Sequence, residues 1–242
     1  MKKLSIIIPA FNEENYISKI LENVHSVDTE KVDFNKEIIV VDDGSTDQTL
    51  KLARKAASEL PDISVIHQEN QGKGKAVQTG IKEAKGDFVL VQDADLEYDP
   101  NDYLPMLTRL KDSDTSIYGS RILGQIHYFN RRFPLAGRHP EQGIGPWLAG
   151  ILLTFCVFLL FGRWITDTLT GYKIYPIHVI RKMDIISHGF EADHEITAKL
   201  IKDGIQIIEV PINYHPRSLK EGKKIGIRDG FLAIWTFFKF RF

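Results

Sequence analysis

With 242 residues, 43% of them hydrophobic and 26% charged, the chain has enough apolar content for one large α/β domain and too much for disorder. Its 31 basic and 32 acidic residues nearly cancel, which excludes a general field for nucleic acid and leaves any phosphate binding to local clusters. The single Cys156 excludes an internal disulfide, and the N-terminus "MKKLSIIIPAFNEEN" lacks the apolar length and cleavage site of a secretory signal, so a cytoplasmic setting is expected.

Apolar, β-branched runs alternate with amphipathic stretches along the first half. "LSIIIP" (4–9) leads into a helical pattern over 14–26, "EIIVVDD" (37–43) into "TDQTLKLARKAASEL", "ISVIHQ" into "GKGKAVQTGIKEA", and "DFVLVQD" into a segment over 101–111; "TSIYGS" follows. This alternation predicts a mostly parallel sheet with helices on both faces, whose strands are solidly apolar because neither face meets water. Such sheets bind ligands beyond the carboxyl ends of their strands. The residues expected on that rim are Pro9 to Glu13, Asp42 to Ser45, His67 to Gln71 and Asp93 to Glu97.

The second half is less regular. Residues 121–146 show neither a strand nor a helix period and carry Arg131, Arg132, Arg138 and His139, which predicts a mobile basic flap. The run "WLAGILLTFCVFLLF" (147–161) would span about 22 Å as a helix, short of the roughly 30 Å hydrocarbon core, and reads either as a buried helix or as one lying at a membrane interface. The end, "FLAIWTFFKFRF", places six aromatics in twelve residues with Lys239 and Arg241 among them, which favours membrane contact.

Four short motifs carry chemistry. In "VQDADLEYDP", Asp93 and Asp95 at a strand end suit a hard cation, Mg²⁺ or Mn²⁺, bridging to a diphosphate; the alternative is a solvated acidic turn. In "VVDDGSTD", Asp42 can accept hydrogen bonds from a base or ribose, while Gly44 permits a sharp turn. "NQGKGKAVQTG" joins a positive helix end to Lys73 and Lys75, suited to an anion, but fits neither a Walker loop nor a dinucleotide fingerprint. "TDTLTGYK" offers Asp167, Thr170 and Gly171.

Together with "IIIPAFNEEN", "YGSR", "GFEADHEITAKL", "EVPINYHPRS" and "EGKKIGIRDG", these motifs resemble family 2 glycosyltransferases of the GT-A fold over nearly the whole chain. Within that family the chain looks most like the synthases that move glucose or mannose to polyprenyl or dolichyl phosphate. The resemblance implies a Rossmann-like, mostly parallel sheet with C-terminal amphipathic helices at a membrane interface. It implies one catalytic domain with a nucleotide-sugar-binding half over 1–120, an acceptor-binding half over 121–225, and a membrane-proximal tail over 226–242. Donor binding then falls to Pro9, Ala10, Asn12, Glu13, Asp42, Asp43, Gly44, Lys73, Gln92 and Ala94. Metal binding falls to Asp93 and Asp95, with Glu97 where mannosyl types usually carry Gln. Catalysis is assigned to Asp93, Asp95, Arg121, Asp193 and Glu195, and the acceptor phosphate to Arg121, Arg131, Arg217, Lys220 and Lys223, with Arg132, Arg138 and Lys224 nearby. "EGKKIGIRDG" departs from the "GESKL" of mannosyl types and points to another branch.

The implied reaction is an inverting displacement at the anomeric carbon of a UDP- or GDP-hexose, helped by Mg²⁺ or Mn²⁺. A lipid phosphate, with its second pKa roughly 6, attacks without a strong base, whereas a glycan hydroxyl would need one, and Asp193 is the candidate. The partners expected are the nucleotide-sugar donor, the polyprenyl phosphate and the cytoplasmic face of a membrane, together with a membrane protein or a second copy of the chain, and no nucleic acid. A transferase acting on glycan hydroxyls and a non-catalytic sugar-nucleotide-binding subunit are the alternatives.

Overall fold

The structure, a computed structural model, describes residues 1–110, 112–130, 136–140, 143–216 and 227–242, with the side chains of 227–229 left aside. Its frame is a seven-stranded sheet in the order β3-β2-β1-β4-β6-β5-β7. These strands are β1 (Lys2–Ala10), β2 (Phe34–Asp43), β3 (Ile63–Gln68), β4 (Phe88–Val91), β5 (Thr115–Ser120), β6 (Lys173–Pro176) and β7 (Gln206–Pro211). All pairings are parallel except those of β6, which runs antiparallel between β4 and β5. One sheet therefore crosses the expected division near residue 120.

Strand β1 is apolar on both sides because each of its faces lies under a different layer. Leu4, Ile6, Ile8 and Ala10 join Ile17, Ile20 and Leu21 of α1 (Ile17–Ser26), Ala53 of α2 (Thr49–Glu59) and Met106 of α4 (Tyr103–Leu107). Ile7 joins the opposite layer, with Ala76 of α3 (Lys73–Glu83), Leu153 of α6 (Ile144–Phe161), Ile180 of α7 (Ile177–Ile180), Ile196 of α8 (Ala192–Lys202) and Phe237 of α9 (Ile227–Arg241). The strand order reverses between β1 and β4, so a crevice opens beyond their carboxyl ends.

The expected flap begins as a helix instead. Residues Arg121–Phe129 form α5, whose N-terminus is capped by Ser120: its Oγ accepts from Leu123 N at 3.1 Å. The helix is held down where Gly124 meets β7's continuation, since a Cβ there would lie 2.0 Å from the Ile212 carbonyl oxygen. Sequence periodicity misses it because only Gly124 and Gln125 are buried. Arg131 and Arg132 lie outside the described residues, as do Arg217, Lys220, Lys223 and Lys224.

Helices α6 and α9 differ from the rest in what they leave outside. Leu153, Thr154 and Val157 are the buried residues of α6, while Leu148, Leu152, Phe155 and Leu159 are exposed. On α9, Ala233 and Phe237 enter the core while Phe231, Trp235 and Phe238 face outward. The two helices touch through Phe161 and Phe237, whose rings lie 6.3 Å apart, so their outer faces adjoin.

Candidate active site

The crevice is built first by two loops that clasp each other. After β1, Asn12 takes a left-handed φ of 54°, which directs its side-chain oxygen to accept from Thr46 N at 2.8 Å; Asn12 N donates to Ser45 Oγ and Glu13 N to Thr49 Oγ1. Pro9 and Ala10 close β1 alongside Val41 and Asp42 of β2. Asp42 is fully buried at that strand end: its Oδ2 lies 2.7 Å from His67 Nδ1 and accepts from Ser45 N, but its Oδ1 has no partner among the described residues. A buried acceptor left unpaired costs about 1–3 kcal/mol, so Oδ1 is an opening for a donated hydrogen bond from a ligand.

Asp43, next in the strand, is occupied. Its carboxylate accepts from Gln68 Nε2, Gln71 N and Gly72 N, at 2.7, 3.0 and 2.8 Å, and so shapes the loop leading into α3. Gly72 there has a φ of 96° and leaves no room for a side chain, since a Cβ would stand 2.8 Å from the His188 carbonyl oxygen. Gly44, with a φ of 74°, makes the turn between the two aspartates and the helix.

The held loop delivers Lys73 to the second strand end. Lys73 Nζ lies 2.6 Å from Asp93 Oδ1 and 5.5 Å from the centre of the Phe190 ring. Burial opposes the ammonium charge, but Asp93 and then Asp193 outweigh it and hold the Lys73 pKa above its ordinary value. Asp93 Oδ2 points at Gly171, where a Cβ would stand 2.8 Å away. Asp95 Oδ1 accepts from Glu97 N, and Leu96 between them has a φ of 61°, the turn that brings a D-x-D pair round after β4.

Two residues expected to touch a ligand are turned inward. Gln92 is fully buried; its oxygen accepts from Tyr103 and Tyr172 hydroxyls at 2.6 and 3.0 Å, and its amide donates to the Asp93 carbonyl. Its part is to fix the Asp93 peptide, with the buried Ala94 following. Glu195 is also fully buried, its carboxylate accepting from Ile186 N, Ser187 N and Lys199 Nζ. Its carboxylate is thus engaged by three donors and ties down the segment whose His188 carbonyl accepts from Lys75 N. Glu97 accepts from Tyr214 OH at 2.5 Å, which orients its carboxylate.

The far wall is cationic and was only partly foreseen. Arg121, first residue of α5, donates from Nε and Nη2 to the two oxygens of Asp167 at 2.7 Å each, and its guanidinium lies 4.9 Å from the Tyr214 ring centre. Glu209 of β7 holds the Asp167 segment by accepting from Thr166 N, Thr166 Oγ1 and Asp167 N. Lys173 is fully buried, with its ammonium donating to the Thr168 carbonyl and 4.9 Å from the Tyr118 ring centre; burial lowers its pKa. Asp193 on the first turn of α8 lines a cavity with Lys73 and Phe190, and its carboxylate accepts no hydrogen bond from the described residues. The sequence signal for Lys173 is its place in "TGYK", two residues after the glycine that receives Asp93.

Among the described residues no three carboxylate, imidazole or thiol groups converge into a metal cage. Asp93 and Asp95 nevertheless fit a divalent cation: they are hard oxygen donors, and an ammonium already stands on Asp93 where a cation would. Two protein carboxylates completed by substrate phosphates are a common arrangement for Mg²⁺.

Residues 5–161 match the glycosyl transferase family 2 domain, and the chain belongs to that family. It is 28% identical over 249 residues to the UDP-N-acetylglucosamine–dolichyl-phosphate N-acetylglucosaminyltransferase of Methanococcus voltae, covering 93% of this chain and 92% of that protein. It is also 28% identical over 227 residues to the dolichol-phosphate mannosyltransferase of Pyrococcus furiosus, covering 93% and 60%. A solved structure of glucosyl-3-phosphoglycerate synthase from Mycobacterium tuberculosis, in complex with Mn²⁺, UDP and phosphoglyceric acid, superposes with a TM-score of 0.68 at 17% identity, covering 99% of this chain and 78% of that one. The sheet and its helices are thus a GT-A fold, and the chain is a glycosyltransferase.

Proposed function

We propose that the chain transfers a hexose from a UDP- or GDP-sugar to the phosphate of a polyprenyl or dolichyl phosphate at the cytoplasmic face of a membrane, with inversion at the anomeric carbon. One observation carries the choice of a lipid acceptor. The exposed apolar helix α6 is tied directly to the cationic wall, because Thr154 Oγ1 donates at 3.1 Å to the carbonyl of Thr166, the neighbour of Arg121's partner Asp167. A lipid lying along α6 would present its phosphate near Arg121. The two dolichyl-phosphate transferase relatives support the same acceptor.

Membrane contact follows from surface chemistry. As an 18-residue helix α6 is about 27 Å long, and its second half is packed on the domain through Leu153, Thr154 and Val157. A helix attached lengthwise in this way lies in the interface, with Leu148, Leu152, Phe155 and Leu159 reaching into the acyl region beside Trp235 and Phe238 of α9. Lys239 and Arg241 suit anionic head groups.

In the reaction, Asp42 receives a hydrogen bond from the nucleoside, and the loop shaped by Asp43 sets Lys73 over the diphosphate. Asp93 and Asp95 would hold the divalent cation, which supplies Lewis-acid neutralisation of the departing nucleoside diphosphate. An acceptor phosphate oxygen forms the new bond to the anomeric carbon as the bond to the diphosphate breaks, and the electron pair leaves with the diphosphate. The acceptor is largely dianionic at neutral pH, so no base is required. Arg121 is positioned by Asp167 for the incoming phosphate. A glycan hydroxyl is the second reading, favoured by Asp193, whose carboxylate is available as a base.

The test is ³¹P NMR of the lipid during turnover. A monoester signal converting to a phosphodiester, together with no reaction of the corresponding polyprenol, supports the proposal; reaction of polyprenol or a saccharide with the monoester untouched overturns it.

A further inference from the structure

We propose that Lys73 is the resident counter-ion of Asp93, which a divalent cation must displace, and that the donor's diphosphate takes up the displaced ammonium, so that metal and donor bind as a coupled pair. This rests on the reading of Asp93 and Asp95 as the metal site.

The geometry makes the two cations compete. Asp93 Oδ2 is directed at Gly171, against which there is no room for even a methyl group, so Oδ1 is the oxygen left to the crevice. That oxygen is held by Lys73 Nζ at 2.6 Å. A metal ion sharing Oδ1 with an ammonium would set charges of the same sign within a few ångströms in a half-buried site, a strongly repulsive arrangement. One of the two must leave.

Lys73 has the means to leave without moving its backbone. Gly72 N is fixed on Asp43, and Lys75 N donates to both the Gly72 and the His188 carbonyls, so the start of α3 is anchored from two sides. Only the four-carbon stem is free to swing, along the Phe190 ring and towards Asp193. Asp193 is felt by Lys73 through charge but shares no hydrogen bond with it in this structure, so leaving Asp93 costs the ammonium its carboxylate hydrogen bond. A diphosphate brings several anionic oxygens to the same place and accepts the ammonium while also completing the metal's coordination. Metal alone therefore binds against Lys73, whereas metal with donor binds with its help, and by linkage each ligand raises the other's affinity equally.

Manganese binding to the full chain, followed by the EPR signal of free Mn²⁺, separates the possibilities without any turnover. The wild-type chain is titrated alone and with saturating UDP or GDP, each against a protein-free blank that subtracts the Mn²⁺ held by the nucleotide itself, beside Lys73→Met, Lys73→Gln and Asp93→Asn. The proposal expects wild type to bind Mn²⁺ about 10-fold or more tightly with the nucleotide than without it. Lys73→Met and Lys73→Gln should each bind Mn²⁺ about 10-fold more tightly than wild type in the absence of nucleotide, and the gain from nucleotide should shrink. Unchanged or weaker binding in both lysine variants overturns the counter-ion role while leaving the metal site in place. Retained Mn²⁺ binding in Asp93→Asn, or none in wild type with either nucleotide, removes the metal-site reading and this inference together.

Discussion

At the scale of single residues, the site is explained by which polar atoms are already partnered. Asp42 and Asp43 adjoin in sequence and look equivalent there, yet Asp43 is engaged by three donors while Asp42 keeps a buried oxygen without one among the described residues. Replacing Asp42 by Asn should lower nucleotide affinity about 10- to 100-fold, the loss of a charge-assisted hydrogen bond, with little change in melting temperature; calorimetric titration with UDP and GDP checks it, and unaltered affinity for both would place the nucleoside elsewhere. A second residue has a pH signature. Burial pushes the Asp102 carboxyl up to about 6, against the bonds it accepts from Asn213 N and Nδ2. A carboxyl raised in the folded state favours folding fully below its unfolded pKa of about 4 and loses that contribution as pH rises through about 6. Asn cannot titrate, so wild type should lose stability relative to Asp102→Asn between pH 4 and 6. Urea denaturation of both across that range would show the change, and a constant difference would contradict it.

At the scale of elements, the two apolar helices are stabilised on one side only. Deleting residues 231–242 would strip Ala233 and Phe237 from the core as well as removing the outer face, so substitution is the cleaner test. Phe231, Trp235 and Phe238 are exposed, and each aromatic transferred from water contributes about 1.5–3 kcal/mol. Replacing all three by Ser should reduce liposome binding at least about 100-fold while leaving the circular dichroism unchanged. Equal sedimentation with vesicles would remove α9 from the membrane. The elements also differ in how legible they were. The strands β1 and β2 are readable because burial on both faces writes long apolar runs, β4 because its four residues are all apolar, and α6 because its composition is extreme. Strand β6 has only four residues, too few for a period, and its antiparallel insertion is a tertiary event that local sequence does not encode. Helix α5 was hidden because only Gly124 and Gln125 of its nine residues are buried.

At the scale of the whole molecule, the rim of one sheet carries Asp42, Asp93 and Arg121, proposed above for nucleoside, metal-diphosphate and acceptor phosphate, at the ends of β2, β4 and β5. Much of this order was visible in the spacing of "DDG", "DAD" and "GSR", because strand ends of a parallel sheet converge wherever they lie in the chain. What could not be read was pairing across the fold: that Arg121 would be gripped by Asp167, that Glu209 would brace Asp167 from β7, and that Glu195 would be engaged by Lys199. These contacts join residues 42 or more positions apart in the first two cases, and a local helical turn in the third, whose outcome depends on which face α8 presents to the sheet. Asp95→Asn is expected to cost at least about 1,000-fold in turnover with the melting temperature preserved, since on the proposed reading it removes one of the two carboxylates that would hold a metal against the departing diphosphate. The most direct test of the whole account is a single-turnover assay with purified chain, a short polyprenyl phosphate and Mn²⁺, offered radiolabelled UDP- and GDP-hexoses in turn. The account predicts label extractable into organic solvent from one donor, lost with EDTA and with Asp95→Asn. No extractable label from any donor, or label appearing only on an added saccharide, would contradict it.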